Sequence, residues 1–273
     1  MTDDFAPPDL ASSPEIDTSV SHSARIWDYW LGGKDNYPVD RQVGDQIARM
    51  LPDIVRHARA DRMFLGRAVR FLAGEAGIRQ FLDIGTGLPT VDNTHEVAQR
   101  VSPDCRIVYV DNDPLVLVHA RALLTSTPQG ATDYLHADLR DPGDVLAGAA
   151  RTLDLTRPVA ITILGVLWHI LDDEQARAII VRLMGAVPAG SYLAIAHPTL
   201  EVTGEKMAAA IEYWNAHGTP PGTHRTPARI AAMVGGLELV APGVVSTTRW
   251  RPEATPFGEP EEIDQFCAVA RKR

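Results

Sequence analysis

The sequence predicts an α/β fold: a mostly parallel sheet of seven strands with helices on both faces, an antiparallel hairpin at the C-terminal end and extra helices at the N-terminal end. Three observations predict it. From Gly77 onward, short apolar runs of strand length alternate with amphipathic runs of helix length, the pattern of repeated β-α units. Near the end two strand-like runs follow one another with no helix between them, and strands joined directly can pair antiparallel. Before Gly77 apolar residues recur only at helical spacing.

Residues 1–22 carry Pro7, Pro8 and Pro14 among Ser, Thr and Asp, and are expected to form a mobile tail. Ser23 can cap a short helix that Gly32 and Gly33 end. Pro38 suits the first turn of a second helix reaching about residue 51. A third helix, 61–74, is read from Phe64, Leu65, Ala68, Val69 and Leu72. Strands follow at 80–84, 106–110, 132–135, 159–164 and 191–196. Helices lie between them at 93–101, where Asn93 and Glu96 have capping-box spacing, and at 114–125, 142–150 and 172–187. Helices at 203–217 and 228–234 flank the loop GTPPGTHRTP, and strands at 237–245 and 264–270 complete the pattern.

Composition excludes several classes. With 45% hydrophobic and 22% charged residues, the chain reads as an ordinary soluble globular protein. The net charge is −9 and no block of Lys and Arg occurs, which disfavours a nucleic-acid partner. Cys105 and Cys267 belong to no CxxC pair, so neither a disulfide framework nor a thiolate metal site is expected; each reads as a small buried hydrophobe. No spaced set of His, Asp and Glu suggests a metal. The N-terminal MTDDFAPPDL has no basic or apolar signal region, and the longest apolar stretch, roughly 159–168, falls short of the ~20 residues that span a bilayer. A cytoplasmic protein without a membrane partner is expected; oligomeric state is not legible.

Chemistry concentrates at three strand ends. FLDIGTGLPT, residues 81–90, runs an apolar strand through Asp83 into Gly85, Thr86 and Gly87, where glycines let a ligand approach the backbone. A dinucleotide fingerprint would place a third glycine where Thr90 stands, and Pro89 removes an N–H. Asp83 would attract an ammonium group and repel a pyrophosphate, which favours S-adenosyl-L-methionine over NAD. In VYVDND, Asp111 ends the next strand, where a carboxylate can accept from both ribose hydroxyls, with Asn112 beside it. In HADLRD, Asp138 can accept from the adenine amino group, flanked by Ala137 and Leu139. Leu164, ending the fourth strand, joins this set. Each acid has a plainer reading, as a turn former or as the cap of the helix beginning at Pro114. The three in order at successive strand ends point to a bound adenosyl cofactor.

Taken together, these residues resemble the actinobacterial S-adenosyl-L-methionine-dependent methyltransferase family long catalogued as a domain of unknown function. The resemblance runs from about Ser23 to Arg271, and its most specific part is ARIWDYWLGGKDNYPVDR, residues 24–41. FLDIGTGLPT, NTHEVAQRV, VYVDNDP, GVLWHI, AHPT and LVAPGVV also match. It implies the Rossmann-like class I methyltransferase fold, the cofactor S-adenosyl-L-methionine and methyl transfer, but no acceptor. The expected organisation is one methyltransferase domain, 23–273, made of an N-terminal helical cap (23–76), a cofactor-binding core (77–198) and substrate-side helices with terminal strands (199–273).

Within residues 24–41, Arg25 is a candidate partner for the methionine carboxylate, and Tyr29 and Asn36 are further candidate ligand contacts. The segment reads either as a flap hinged at Gly32 and Gly33 or as a clasp whose Trp27 and Trp30 fill a groove on the sheet. Methyl transfer from a sulfonium is a direct displacement, and a base is needed only if the acceptor must lose a proton. His169 and His197, after the fourth and fifth strands, are the candidate bases; either can instead be a loop hydrogen-bonder. Trp168, Tyr213 and Trp214 can line an acceptor pocket or pack in a core. A small-molecule acceptor is expected. The rival readings are a noncatalytic adenosyl-ligand sensor on the same fold and, disfavoured by Asp83 and Thr90, an NAD-dependent oxidoreductase.

Overall fold

The computed structural model describes residues 16–123, 125–254 and 258–273. The first fifteen residues of the expected tail therefore lie outside the described residues. Ile16 and the residues after it lie against the fold: Ile16 packs beside Leu88 and Leu115, and Ser21 Oγ donates to His217 O at 2.9 Å.

Three helices come first, α1 (Ser23–Leu31), α2 (Pro38–Met50) and α3 (Ile54–Arg70). Gly32, left-handed at φ 88°, ends α1 and donates its N–H to Tyr29 O. Pro38 opens α2, and Asp40 turns back to accept from Tyr37 N at 2.8 Å. α3 starts at Ile54, well before the residue 61 expected, because Ile54 and Ala58 carry the buried stripe of Phe64 and Leu65 back toward Asp53. It then passes into a π turn, Phe71–Glu75.

The sheet follows. β1 (Gln80–Ile84), β2 (Arg106–Asp111), β3 (Ala131–His136), β4 (Ala160–Leu164) and β5 (Tyr192–Pro198) are parallel. They alternate with α4 (Thr94–Val101), α5 (Pro114–Leu123), α6 (Pro142–Ala149) and α7 (Asp173–Gly185). Next come α8 (Glu205–His217), α9 (Pro227–Met233), β6 (Glu238–Leu239), β7 (Val245–Ser246) and β8 (Gln265–Arg271). The spatial order is β3-β2-β1-β4-β5-β8-β6, with β7 also on β8, and β8 runs antiparallel to β5, β6 and β7. Among the described residues the sheet thus has eight strands rather than seven. The expected strand 237–245 is broken because Pro242 offers no N–H and Gly243, at φ 93°, turns to donate to Val240 O.

Successive residues of each strand face opposite layers. Leu82, Ile84, Val110 and Ile163 pack with α6 and α7, while Phe81, Ile107 and Tyr109 pack with α3 and α4. Burial on both faces explains why the strands read as unbroken apolar runs. A third cluster joins Ile26 and Trp30 of α1, Ile47 of α2, Ile54 of α3 and Met207, Ile211 and Trp214 of α8. Among the described residues no helix is long and apolar enough to cross a membrane.

The strand order reverses between β1 and β4: the chain moves outward through β2 and β3, then returns to the other side of β1. Open α/β sheets bind ligands in the crevice outside the carboxyl ends of the strands at such a switch point.

Candidate active site

At that crevice lies a cavity of about 360 Å³. Its floor is the loops leaving β1, β2, β3 and β4. The β1 loop is tied to β2 by Gly85 N–H, which donates to Val110 O at 2.8 Å. Gly85 sits at φ 74°, and a Cβ there would fall 2.6 Å from Val166 Cβ, so the β1 and β4 loops approach closely only because this residue is glycine. Gly87, at φ 67°, donates to Asp111 Oδ2 at 2.8 Å, while a Cβ on it would meet nothing within 4 Å.

Asp111 also accepts from Asp113 N at 3.0 Å, and burial holds its pKa above the usual carboxylate range. Two of its acceptor positions are used; a carboxylate offers about four, so two are left for a diol. Asp83 is buried deeper, and both its oxygens are taken, by Thr94 Oγ1 and Thr162 Oγ1 at 2.6 Å each. Burial raises its pKa, and the two hydroxyls oppose that rise by bonding the charged form. Asp138 accepts from Arg140 Nε at 2.9 Å and from Asn112 Nδ2 at 3.1 Å. The hydrogen bond from Arg140 is the main reason its pKa falls to about 2. Thr86, Asn112, Ala137, Leu139 and Leu164 complete this part of the wall.

The remaining cavity wall is apolar and aromatic. Trp27 and Trp30 of α1, Ile47 of α2, Ile54 and Leu65 of α3, and Ile211 of α8 close it. Trp214 and Trp168 add two rings whose centroids lie 5.2 Å apart. His169 belongs to this wall. Its Nδ1 lies 2.9 Å from Pro221 O, and a carbonyl can only accept, so the hydrogen sits on Nδ1 and the neutral ring's lone pair on Nε2. Burial lowers its pKa to about 4.

Other candidates stand elsewhere. His197 is buried outside the cavity wall, its Nδ1 donating to Pro198 O at 2.9 Å and its Nε2 accepting from Arg225 Nη1 at 2.6 Å. With both nitrogens used and burial lowering its pKa to about 3, it has no free lone pair to act as a base. Arg25 is also absent from the wall: it lies 3.4 Å from Asp113 Oδ2 and donates to Asp17 O at 2.8 Å. Tyr29 donates to Asp45 at 2.7 Å. Asn36 is held between Asp28, 2.9 Å from its Nδ2, and Arg41, 2.9 Å from its Oδ1. The segment 24–41 contributes Trp27, Trp30 and Asp28 to the cavity wall, while Arg25, Tyr29 and Asn36 bond within the protein.

Several residues of this region were not foreseen. Asp61 and His57 reach the wall from α3, and Gln265 from the start of β8. Arg225 is fully buried, bonding Leu167 O, Ile170 O, His197 and Asp173, and so fixes the chain that follows β4. An acid in the apolar stripe Ile54–Ala58–Asp61–Leu65 was the one signal available for Asp61.

The donor set fits an adenosyl sulfonium ligand: a carboxylate with spare acceptor positions on β2, an open glycine cradle on β1 and, beside them, a β3 loop that sets Asp138 between Ala137 and Leu139. Comparison with known proteins agrees. A sequence profile of the S-adenosyl methyltransferase family (Methyltransf_19) matches residues 9–273. A crystal structure of a DUF574 family protein from Streptomyces avermitilis MA-4680 is 46% identical over 95% of this chain and 100% of its own, with a TM-score of 0.91. A candidate methyltransferase from Thermobifida fusca YX is 39% identical over 97% of this chain and 100% of its own, with a TM-score of 0.87. No curated protein matches. The chain belongs to the S-adenosyl methyltransferase family, and its cofactor is S-adenosyl-L-methionine.

Proposed function

We propose that this chain transfers the methyl group of S-adenosyl-L-methionine to a small-molecule acceptor, and that residues 23–273 act as one unit in doing so. One observation carries the reading: the strand-end loops and the tryptophan-lined compartment are parts of the same cavity. A macromolecular acceptor calls for an open face; this compartment is walled by four helices and suits a compact ligand.

Asp111 would hold the ribose diol, and Gly85, Thr86 and Gly87 would present backbone to the ligand. Asn112, Ala137, Asp138 and Leu139 would frame the adenine, with Leu164 beneath. Asp83, closed by two threonines, would act as a fixed negative charge near the methionine end and a brace for the β1 loop. When bound, the cofactor supplies an electrophilic methyl group on a sulfonium. The protein's contribution is alignment of the acceptor with that methyl, exclusion of water by the aromatic wall, and a hydrogen-bonding Nε2 on His169. The low pKa of His169 makes it a weak base at neutral pH.

Calorimetry on the wild-type chain and on Asp111→Ala tests the reading. S-adenosylhomocysteine should bind the wild type, and the variant should lose roughly 1.5–3 kcal/mol, the range for hydrogen bonds to a charged group. Equal affinity in a folded Asp111→Ala protein would refute the assignment of the β2 carboxylate.

A further inference from the structure

The aromatic compartment is bordered by a buried acid, Asp61, that makes no ion pair among the described residues. Asp61 lies on the face of α3 that also carries Ile54, His57 and Leu65 at helical spacing, and all four reach the cavity wall. Its side chain is almost wholly buried, with 6% of the residue exposed. Oδ1 accepts a 3.3 Å hydrogen bond from Gln265 Nε2. Oδ2 lies 3.6 Å from where a Cβ on Gly165 would stand, which places it against the chain leaving β4, where the strand-end loops meet the aromatic compartment.

Among the described residues no ion pair reaches Asp61. The wall there contains five aspartates and two arginines: Arg140 is paired with Asp138, and Arg62, the residue after Asp61 in α3, turns Nη2 to Val91 O and Asp92 O, so that its charge lowers the Asp61 pKa without an ion pair. Burial raises the carboxyl pKa to about 6, so at neutral pH the group is largely ionised in apolar surroundings. A buried carboxylate is costly unless it is paired. Nothing in the fold requires an acid here: of the neighbouring positions on this face Ile54 and Leu65 are apolar, His57 makes no ion pair with Asp61, and Gln265 could bond an amide equally well. A cationic ligand would supply the ion pair that the fold does not make, and tryptophan faces also favour cations.

Resting on the methyltransferase reading above, we propose that Asp61, seated by Gln265, holds the methyl acceptor, and that the acceptor is an amine carried on an apolar, ring-sized body. The body fills the tryptophan-lined compartment and the ammonium group meets Asp61. The ammonium gives one proton to the carboxylate, which leaves a lone pair on nitrogen. That lone pair forms the new nitrogen–carbon bond as the carbon–sulfur bond breaks, its electron pair staying on sulfur. The products are a methylammonium and the neutral thioether. Asp61 serves this proton step better than His169, because its pKa lies nearer to neutral pH.

The test uses the full chain saturated with S-adenosylhomocysteine and three probes of matched shape: 2-phenylethylamine, 2-phenylethanol and ethylbenzene. Calorimetry should show the amine binding at least tenfold tighter than the hydrocarbon and tighter than the alcohol. Asp61→Asn should bring amine and hydrocarbon within about twofold of each other and leave S-adenosylhomocysteine affinity within about twofold of wild type. A panel of ring amines and ring alcohols, followed by release of S-adenosylhomocysteine, should show turnover of amines that Asp61→Asn abolishes. Preference for the alcohol, no preference, retained preference in Asp61→Asn, or no ring amine bound or methylated would overturn the proposal. Selective loss of S-adenosyl-L-methionine relative to S-adenosylhomocysteine in Asp61→Asn would overturn it too, by assigning the carboxylate to the sulfonium. If Asp61→Asn fails to fold, Gln265→Met, which unseats the carboxylate but keeps its charge, should narrow the amine preference; an unchanged preference would count against the proposal. Failure of the wild type to bind S-adenosylhomocysteine would instead strike the methyltransferase reading itself.

Discussion

Asp61→Asn should make the ligand-free protein more stable at neutral pH, by an amount that follows from the site. The carboxyl has an ordinary pKa of 3.8, and burial moves it to about 6 in the fold. Folding therefore favours the protonated acid, and ionisation works against the folded state. Below about pH 3.8 both states are protonated and the penalty vanishes; above about pH 6 both are ionised and it is complete. The gap corresponds to about 2 kcal/mol at pH 5 and about 3 kcal/mol at pH 8. Asparagine keeps the shape, and its Oδ1 can still accept from Gln265, so the substitution removes the penalty with little lost packing. For a chain of this size each kcal/mol moves Tm by roughly 2–4 °C, so a rise of several degrees is expected at pH 8. Thermal and urea unfolding of both proteins at pH 5, 6, 7 and 8 would measure the difference. An asparagine variant less stable than wild type at pH 8, or a difference flat across that range, would refute the reasoning, because either result means the carboxylate is already compensated.

Four further outcomes are expected. Gly87→Ala should fold yet bind S-adenosylhomocysteine at least tenfold more weakly, since it places a methyl in the open cradle at a left-handed position that costs about 1–2 kcal/mol in itself; calorimetry reads the affinity. Gly85→Ala should lose stability in urea unfolding through the Val166 contact, and Val166→Gly in the same chain should return part of it. Removing the Arg225 guanidinium, as in Arg225→Leu, should cost on the order of 3 kcal/mol by leaving Leu167 O, Ile170 O and His197 without their donor, again by urea unfolding. The imidazole of His197, with its pKa lowered by burial from 6.5 to about 3, should show no NMR titration between pH 8 and 5. Because the unfolded chain takes up that proton first, the same group should weaken the fold as pH drops from about 6.5 toward 3, by roughly 2 kcal/mol at pH 5.

The cofactor floor was legible because its constraints are local. A strand end needs glycine where backbones converge, and an acid there is visible in a run of a few residues, as at Asp83-Ile84-Gly85 and Val110-Asp111. The acceptor side was not, because its polar groups meet over long distances in the chain. Asp61 and Gln265 are 204 positions apart, and only the docking of α3 against the start of β8 joins them. Residues 24–41 show the converse limit. Composition made Arg25 and Asn36 look like ligand contacts, but Asp113 and Asp28 hold them, and no spacing rule foretells those partners. The strand 237–245 failed for a local reason that was present in the sequence: Pro242-Gly243 is a turn signal inside an otherwise apolar run.

The two cysteines have a practical consequence for following this molecule in solution. Cys105 and Cys267 are both fully buried, and burial raises both thiol pKa values, that of Cys105 to about 11. Thiol reagents act on the exposed thiolate, so the native chain should be inert to maleimide dyes. Val91, which is 84% exposed, lies on the loop beyond Gly87. Val91→Cys would then carry a fluorophore at a single position beside the cavity with no native cysteine removed, and ligand binding could be followed by emission.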